Sequence, residues 1–341
     1  MLNDHRLYLD TYLSYGFISQ LLDTDTTVEY VNVKYRVNYG FSLNFFQQNY
    51  ITEDPSNPTN LNPSNGFSEM RFGASAFGRY PLSKYARFDL SFSPVFFMRT
   101  YRGTVGNDIK TNYPAYTKGS MVFRGSFTVD NTLFGYLHPV DNSRGIFLVE
   151  AAPPLGASRL SYLRALVELR QYFLLGRKQS IALRLMSGAV AGQDKKDFEF
   201  RIGGQGFDFL YSITTENFPT LRSYPVYAFR GSYMGLFNLE YRVTLLDQAR
   251  FSFPFPFSIG NINAVFFFDA GSATSDLAGY KLWDFDGSRL ILRDLKASFG
   301  VGLRFVLLIF PMKLDFSTPW TGYSIKELKD WDAFLSIGFD F

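Results

Sequence analysis

The chain has 341 residues, enough for one large domain or two of ordinary size, and a formal net charge of +3. That charge, spread over this length with no basic run, excludes a nucleic-acid-binding surface of the usual kind. Two histidines, His5 and His138, and no cysteine leave carboxylates to build any transition-metal site, so no metal and no cofactor are expected.

Aromatic residues make up 18% of the chain, with 38 Phe and 22 Tyr, against 19% charged. A soluble core rarely takes that much aromatic surface. A transmembrane barrel does, because it wears an apolar band with aromatic girdles outside and keeps polar residues inside. The longest unbroken apolar run, about residues 305–312, is far short of the ~18 residues that suggest a spanning helix, and Pro311 interrupts it. Any membrane crossing is therefore made by strands. Residues 1–6 have neither the basic start nor the apolar middle of a signal peptide, so a chain bound for the outer membrane is expected here as a mature form or a fragment.

Taken in order, residues 5–20 alternate loosely and predict a first strand. Residues 29–39 alternate almost without error, with Val31, Val33, Tyr35, Val37 and Tyr39 opposite Tyr30, Asn32, Lys34, Arg36 and Asn38, which predicts a second. Residues 41–50 follow as a third, and the Asn/Pro/Ser-rich stretch 52–65 reads as a loop. Further strands are predicted over 67–80, 85–101, 116–130, 143–152, 159–175 and from the turn at Gly176 to about Val190. A very long connection then leads to strands at 233–246, 261–269, 294–305, 312–317 and 333–341.

The count is fourteen strands, with short connections alternating with long ones. Bacterial outer-membrane barrels have that asymmetry, short turns at the periplasmic rim and long loops outside. Setting Phe341 at the periplasmic rim puts the loops at 51–65, 103–115, 204–231, 270–292 and 319–332 all on the outer side. The alternative is a large soluble all-β protein such as a propeller or stacked sandwiches, but no blade-length repeat is present.

One stretch carries more information than the alternation. Gly203-Gly204 opens the long connection, Phe229-Arg230-Gly231 lies near its end, and Asn238-Leu239-Glu240-Tyr241-Arg242 follows on a strand. Next comes Phe267-Phe268-Asp269-Ala270-Gly271. By alternation Glu240 lies opposite Leu239, Tyr241 and Val243, so it faces the lumen; Asp269, alternating with Phe268, faces the same way. A guanidinium carried in by a loop can pair bidentately with such carboxylates.

This order of motifs resembles the bacterial surface antigen family, the BamA-like and TamA-like outer-membrane assembly barrels. The resemblance implies an all-β transmembrane antiparallel barrel over residues 1–341 as a single domain, with a long external loop folded into the lumen. It also implies a family barrel of sixteen strands with the first two, and the preceding periplasmic domains, missing, so that the chain is either truncated or closes at fourteen strands. Asp4-His5-Arg6 resembles the entry to the third strand in propeller-fused relatives.

In the family an aliphatic-Arg-Gly-aromatic tip tucks into the lumen against acids on the inner wall. Carried over, Phe229, Arg230 and Gly231 are the tip, with Ser232 in the aromatic's place; Gly203 and Gly204 open the loop; Glu240, Phe267, Asp269 and Gly271 are the inner-wall partners. Phe339 and Phe341 end the chain as the C-terminal assembly signal. The expected function is inserting or translocating proteins at the outer membrane. Expected partners are outer-membrane lipid, unfolded or nascent outer-membrane proteins, and upstream periplasmic domains or accessory proteins. The alternative is an outer-membrane channel or structural anchor. No Gly-x-Ser-x-Gly elbow, phosphate loop or zinc helix occurs, so the chain is not expected to be an enzyme.

Overall fold

A computed structural model describes residues 5–16, 21–54, 57–112, 114–155, 160–204, 220–225, 228–251, 257–287, 289–307, 310–320 and 331–337. Its strands are β1 (His5–Gly16), β2 (Leu21–Asn32), β3 (Asn38–Asp54), β4 (Asn57–Pro81), β5 (Ala86–Arg102), β6 (Tyr116–Asp130), β7 (Leu133–Phe134), β8 (Pro139–Ala152), β9 (Tyr162–Leu174) and β10 (Gln179–Ala191). They continue with β11 (Phe200–Ile202), β12 (Phe229–Gly231), β13 (Tyr233–Phe251), β14 (Phe257–Thr274), β15 (Trp283–Asp286), β16 (Arg289–Leu292), β17 (Lys296–Leu307), β18 (Phe310–Trp320) and β19 (Asp332–Ile337). Among the described residues the only helical pieces are α1 (Asn107–Asn112) and a 3-10 turn at Lys195–Phe198.

Pairing follows chain order. The path β1-β2-β3-β4-β5-β6-β8-β9-β10-β13-β14-β17-β18-β19 contains fourteen strands among the described residues, while β7 pairs with β8 alone. The pairs β11-β12 and β15-β16 form separate ladders inside connections. Contacts divide the chain into two compact units. One holds Met1–Phe127, Val149–Leu163 and Gly192–Asp194; the other holds Thr128–Leu148, Arg164–Ala191 and Lys195–Phe341.

In the first unit the strands β1 to β5 form an antiparallel meander. Phe41, Leu43, Phe72, Leu90 and Phe96 are exposed, while Glu69 and Arg99 are buried against each other, with Arg99 Nη2 2.6 Å from Glu69 Oε1. The Arg99 guanidinium also lies over the rings of Phe67 and Tyr116.

Two expectations fail in this unit. The strand predicted over residues 29–39 is a hairpin: β2 ends at Asn32, β3 starts at Asn38, and Asn32 pairs with Tyr39. The Asn32 Oδ1 accepts the Lys34 backbone N–H at 2.9 Å, a side-chain turn that reverses the chain where the apolar alternation runs on. Tyr35 and Val37 are exposed turn residues rather than one face of a strand. The stretch 52–65 is not a loop throughout either: among the described residues β3 runs to Asp54 and β4 starts at Asn57, with Glu53 opposite Leu61 and Asp54 opposite Asn57 across register shifts.

In the second unit the same inversion of the soluble rule recurs on β9, β10, β13, β14, β17 and β18. Leu169, Leu185, Leu245, Phe266, Val301 and Phe316 are exposed, whereas Glu168, Arg184, Glu240, Arg242, Asp269, Arg304 and Asp315 are buried. Charged residues are almost never fully buried in soluble proteins unless paired, and these are paired. Glu168 takes both Arg170 (2.7 Å) and Arg184 (2.6 Å), and Arg304 takes Asp315 (2.7 Å). Such a wall, charged inside and apolar outside, has the alternation of a transmembrane β-barrel.

The outward band has a direct check. Phe266, 51% exposed at the middle of β14, is opposite in facing to Asp269. Phe266→Arg is expected to cost about 2–4 kcal/mol if the position lies near the bilayer midplane, and Phe266→Leu much less. Denaturant titration of protein folded into lipid vesicles reads the difference. Equal midpoints for the two variants would contradict an outward lipid face.

Candidate functional site

The site is built by the connection between β10 and β13 and by the inner faces of β13 and β14. Gly203 and Gly204 end the first arm of that connection with φ of 126° and 66°, a backbone that favours glycine. A β-carbon on Gly203 would lie 2.6 Å from the Pro225 carbonyl oxygen, so the returning chain passes directly over it. Gly204 N–H donates to Leu221 O at 2.8 Å, and this bridge delivers Arg222.

Arg222 is the centre of the site. Its Nε donates to Asp269 Oδ2 at 2.6 Å and its Nη2 to Asp269 Oδ1 at 2.7 Å, a bidentate fork, while Nη1 reaches Glu240 Oε1 at 2.8 Å. The guanidinium stacks 3.6 Å over the Phe267 ring. Asn238 Nδ2 donates to Asp269 Oδ1 (2.8 Å) and to the Thr220 carbonyl (3.1 Å), tying wall to loop a second time. Glu240 is shared: its Oε2 accepts from Arg242 Nε at 2.9 Å, and Arg242 Nη1 continues to the Pro139 carbonyl at 3.1 Å.

All four charged groups are buried, with Asp269 0% and Arg222 4% exposed. Burial opposes the charge on Arg222, but Asp269 first and Glu240 next outweigh it and hold its pKa well above the ordinary value. Two cations against two carboxylates leave the cluster neutral, which is how four charges can share a low-dielectric site.

The structure brings together Glu240, Phe267 and Asp269 at this cluster, with Gly271 one step further along the same face, but the cation among them is not Arg230. Arg230 sits on the β11-β12 ladder opposite Arg201, pairs with Glu199 (2.8 Å), and donates to the Lys196 carbonyl. Glu199 also accepts from the Ser232 and Ser275 hydroxyls. Phe229-Arg230-Gly231 therefore fastens the base of the connection. A side chain at Gly231 would collide with the Thr274 backbone, so glycine is required there for close approach to β14. Gly271 serves the same junction, with Leu236 and Ile202 packed against its missing side chain.

The tip is Leu221-Arg222-Ser223-Tyr224, which carries the aliphatic, arginine and aromatic positions with serine where the glycine stands. Ser223 has a φ of 68°, the left-handed backbone that a glycine would adopt without strain. Tyr224 donates from its hydroxyl to the Ala297 carbonyl at 3.0 Å and meets the Phe229 ring edge-on. The signal present in the sequence is an arginine followed two residues later by an aromatic, and the literal Arg-Gly at 230–231 obscures it. Phe339 and Phe341 lie outside the described residues.

An inside-out antiparallel wall with a loop arginine folded onto its inner acids defines the class of outer-membrane β-barrel with an inward-folded external segment. Residues 8–339 match the Omp85 superfamily domain, and the chain belongs to that superfamily. Its fold is similar to that of BamA from Haemophilus ducreyi lacking POTRA domains 1–3, at 14% identity and a TM-score of 0.62, covering 98% of this chain and 70% of that one. It is also similar to CdiB from Acinetobacter baumannii, at 15% identity and a TM-score of 0.55, covering 98% of this chain and 53% of the other. A search of curated proteins gave no significant match.

Two substitutions separate the two arginines, and a third tests the backbone at the tip. Arg222→Ala leaves two buried carboxylates short of a cation and is expected to cost about 3–5 kcal/mol, seen as protease cleavage of the β10–β13 connection in the folded protein. Arg230→Ala, at a partly exposed pair, is expected to cost about 1 kcal/mol or less. Ser223→Gly is expected to stabilise by roughly 1 kcal/mol by removing the strain of a positive φ. Equal protease sensitivity in the two arginine variants would contradict the assignment.

Proposed function

We propose that this chain is an integral outer-membrane barrel that inserts or translocates other proteins. The observation that carries the proposal is the Arg222 cluster, which holds the long connection against the inner wall by three charge-assisted contacts. A segment anchored there keeps the lumen occupied, which suits a barrel that works through its wall better than a wide-open pore. Membership of the Omp85 superfamily supports the same reading.

In this proposal an incoming polypeptide pairs with the backbone edge of a wall strand. Lipid contacts the outward apolar residues. Upstream periplasmic domains or accessory proteins deliver unfolded outer-membrane polypeptides. No step of this function requires bond-breaking chemistry, a metal or a cofactor.

Purified protein in lipid vesicles should accelerate the folding of a urea-denatured outer-membrane barrel several-fold over empty vesicles, read as the heat-modifiable band on gels. In planar bilayers it should give small, flickering currents. A stable large conductance together with no acceleration of folding would overturn the insertase reading in favour of a channel.

A further inference from the structure

A cavity of about 760 Å³ lies in the second unit, bordered by β9, β10, β13, β14 and the loop between β14 and β17. Most of the wall residues lining it are the outward ones. On β13, Gly235 alternates with the buried Met234 and Leu236; on β14, Ala270 alternates with the buried Asp269 and Gly271; on β10, Ser187 alternates with the buried Met186. The hollow is thus on the opposite side of the wall from the Arg222 cluster. Small side chains form its floor, and Leu277, Leu282 and Leu295 from the loop form its overhang.

Two further observations bear on what occupies it. A β-carbon built on Gly235 meets nothing within 4 Å, so the floor is open space rather than glycine packed against a neighbour. The cavity is also continuous with the exposed apolar face, since Leu185 and Val167 line it and are themselves exposed members of the outward band. Whatever solvates that band fills the hollow, and along a lipid-facing wall that solvent is acyl chain.

We propose that this hollow is a binding groove for an acyl chain of a bilayer lipid, seated on Gly235 and held under the β14–β17 loop. The proposal rests on the membrane placement made under Proposed function. A flat apolar wall lets lipid chains slide past, whereas a groove closed on one side by the overhang adds contacts on a third face of the chain and holds it in place. The same loop presents Trp283 and Phe285, both exposed, on the β15-β16 hairpin, residues suited to the level of the lipid headgroups.

The test uses full-length protein in phosphatidylethanolamine/phosphatidylglycerol vesicles containing a phospholipid with a diazirine in its acyl chain. After irradiation, cross-linked peptides are mapped by mass spectrometry in the native sequence and in Gly235→Trp, whose side chain grows into open space. The groove predicts cross-links at residues 233–237 and 277–282 several-fold above those at the open outward positions Phe266, Val301 and Phe316. It predicts at least a tenfold loss of the groove cross-links in Gly235→Trp, with those open positions unchanged.

Uniform labelling along the outward face, or labelling of the groove that Gly235→Trp does not reduce, would overturn the groove while leaving the membrane placement intact. Absence of labelling at Phe266, Val301 and Phe316 alike would instead refute the membrane placement. If Gly235→Trp dissociates an oligomer in mass photometry and the groove carries no lipid label, the occupant is a second copy and the proposal fails.

Discussion

The bidentate pairing of Arg222 with Asp269, completed by Glu240, is the interaction on which the arrangement of the second unit depends. A guanidinium taken out of water incurs several kcal/mol of desolvation, which only close, well-oriented carboxylates offset. The chain supplies them from two adjacent strands. Asn238 stands opposite Asp269 in the β13-β14 register, so the strand pairing that builds the wall also sets the spacing of the acids that hold the loop. Because Glu240 also binds Arg242, which in turn donates to the Pro139 carbonyl, removing Arg222 disturbs a network rather than one pair.

The same logic organises the rest of the inner wall. Arg99 with Glu69, Arg170 and Arg184 with Glu168, and Arg304 with Asp315 are cross-strand or same-strand pairs in which each charge is met on the spot. Room for them comes from small residues. At Gly302 a side chain would strike the Asp315 carboxylate, so glycine there is what lets the Arg304–Asp315 pair lie flat against the strand. The outer face needs no such matching, since hydrocarbon accepts Leu, Phe and Val in any order. The specificity of this fold therefore sits in its polar interior, the reverse of a soluble β protein.

Much of this was legible in the residues. Alternation located most wall strands because each strand separates two unlike solvents, and it placed Glu240 and Asp269 on the inner face. It failed at residues 33–37, where the reversal is made by the Asn32 side chain without Gly or Pro and the apolar period runs through the turn unbroken. It failed at 52–65, where a hairpin extends on backbone pairing that turn-forming residues conceal. The identity of the inward arginine was lost for a local reason: Ser223 adopts a positive φ that only the fold around it can enforce. The outward hollow at Gly235 has no sequence signal, because emptiness is a property of what the β14–β17 loop leaves uncovered.

The most direct measurement of the central claim is a double-mutant cycle on Arg222→Ala and Asp269→Ala, using folding free energies in lipid vesicles. Residues in direct, buried contact should show a coupling of at least about 1.5 kcal/mol, with the double variant far less destabilised than the sum of the singles. Additive effects, with a coupling near zero, would show that the loop arginine and the wall acid do not hold each other and would contradict the account.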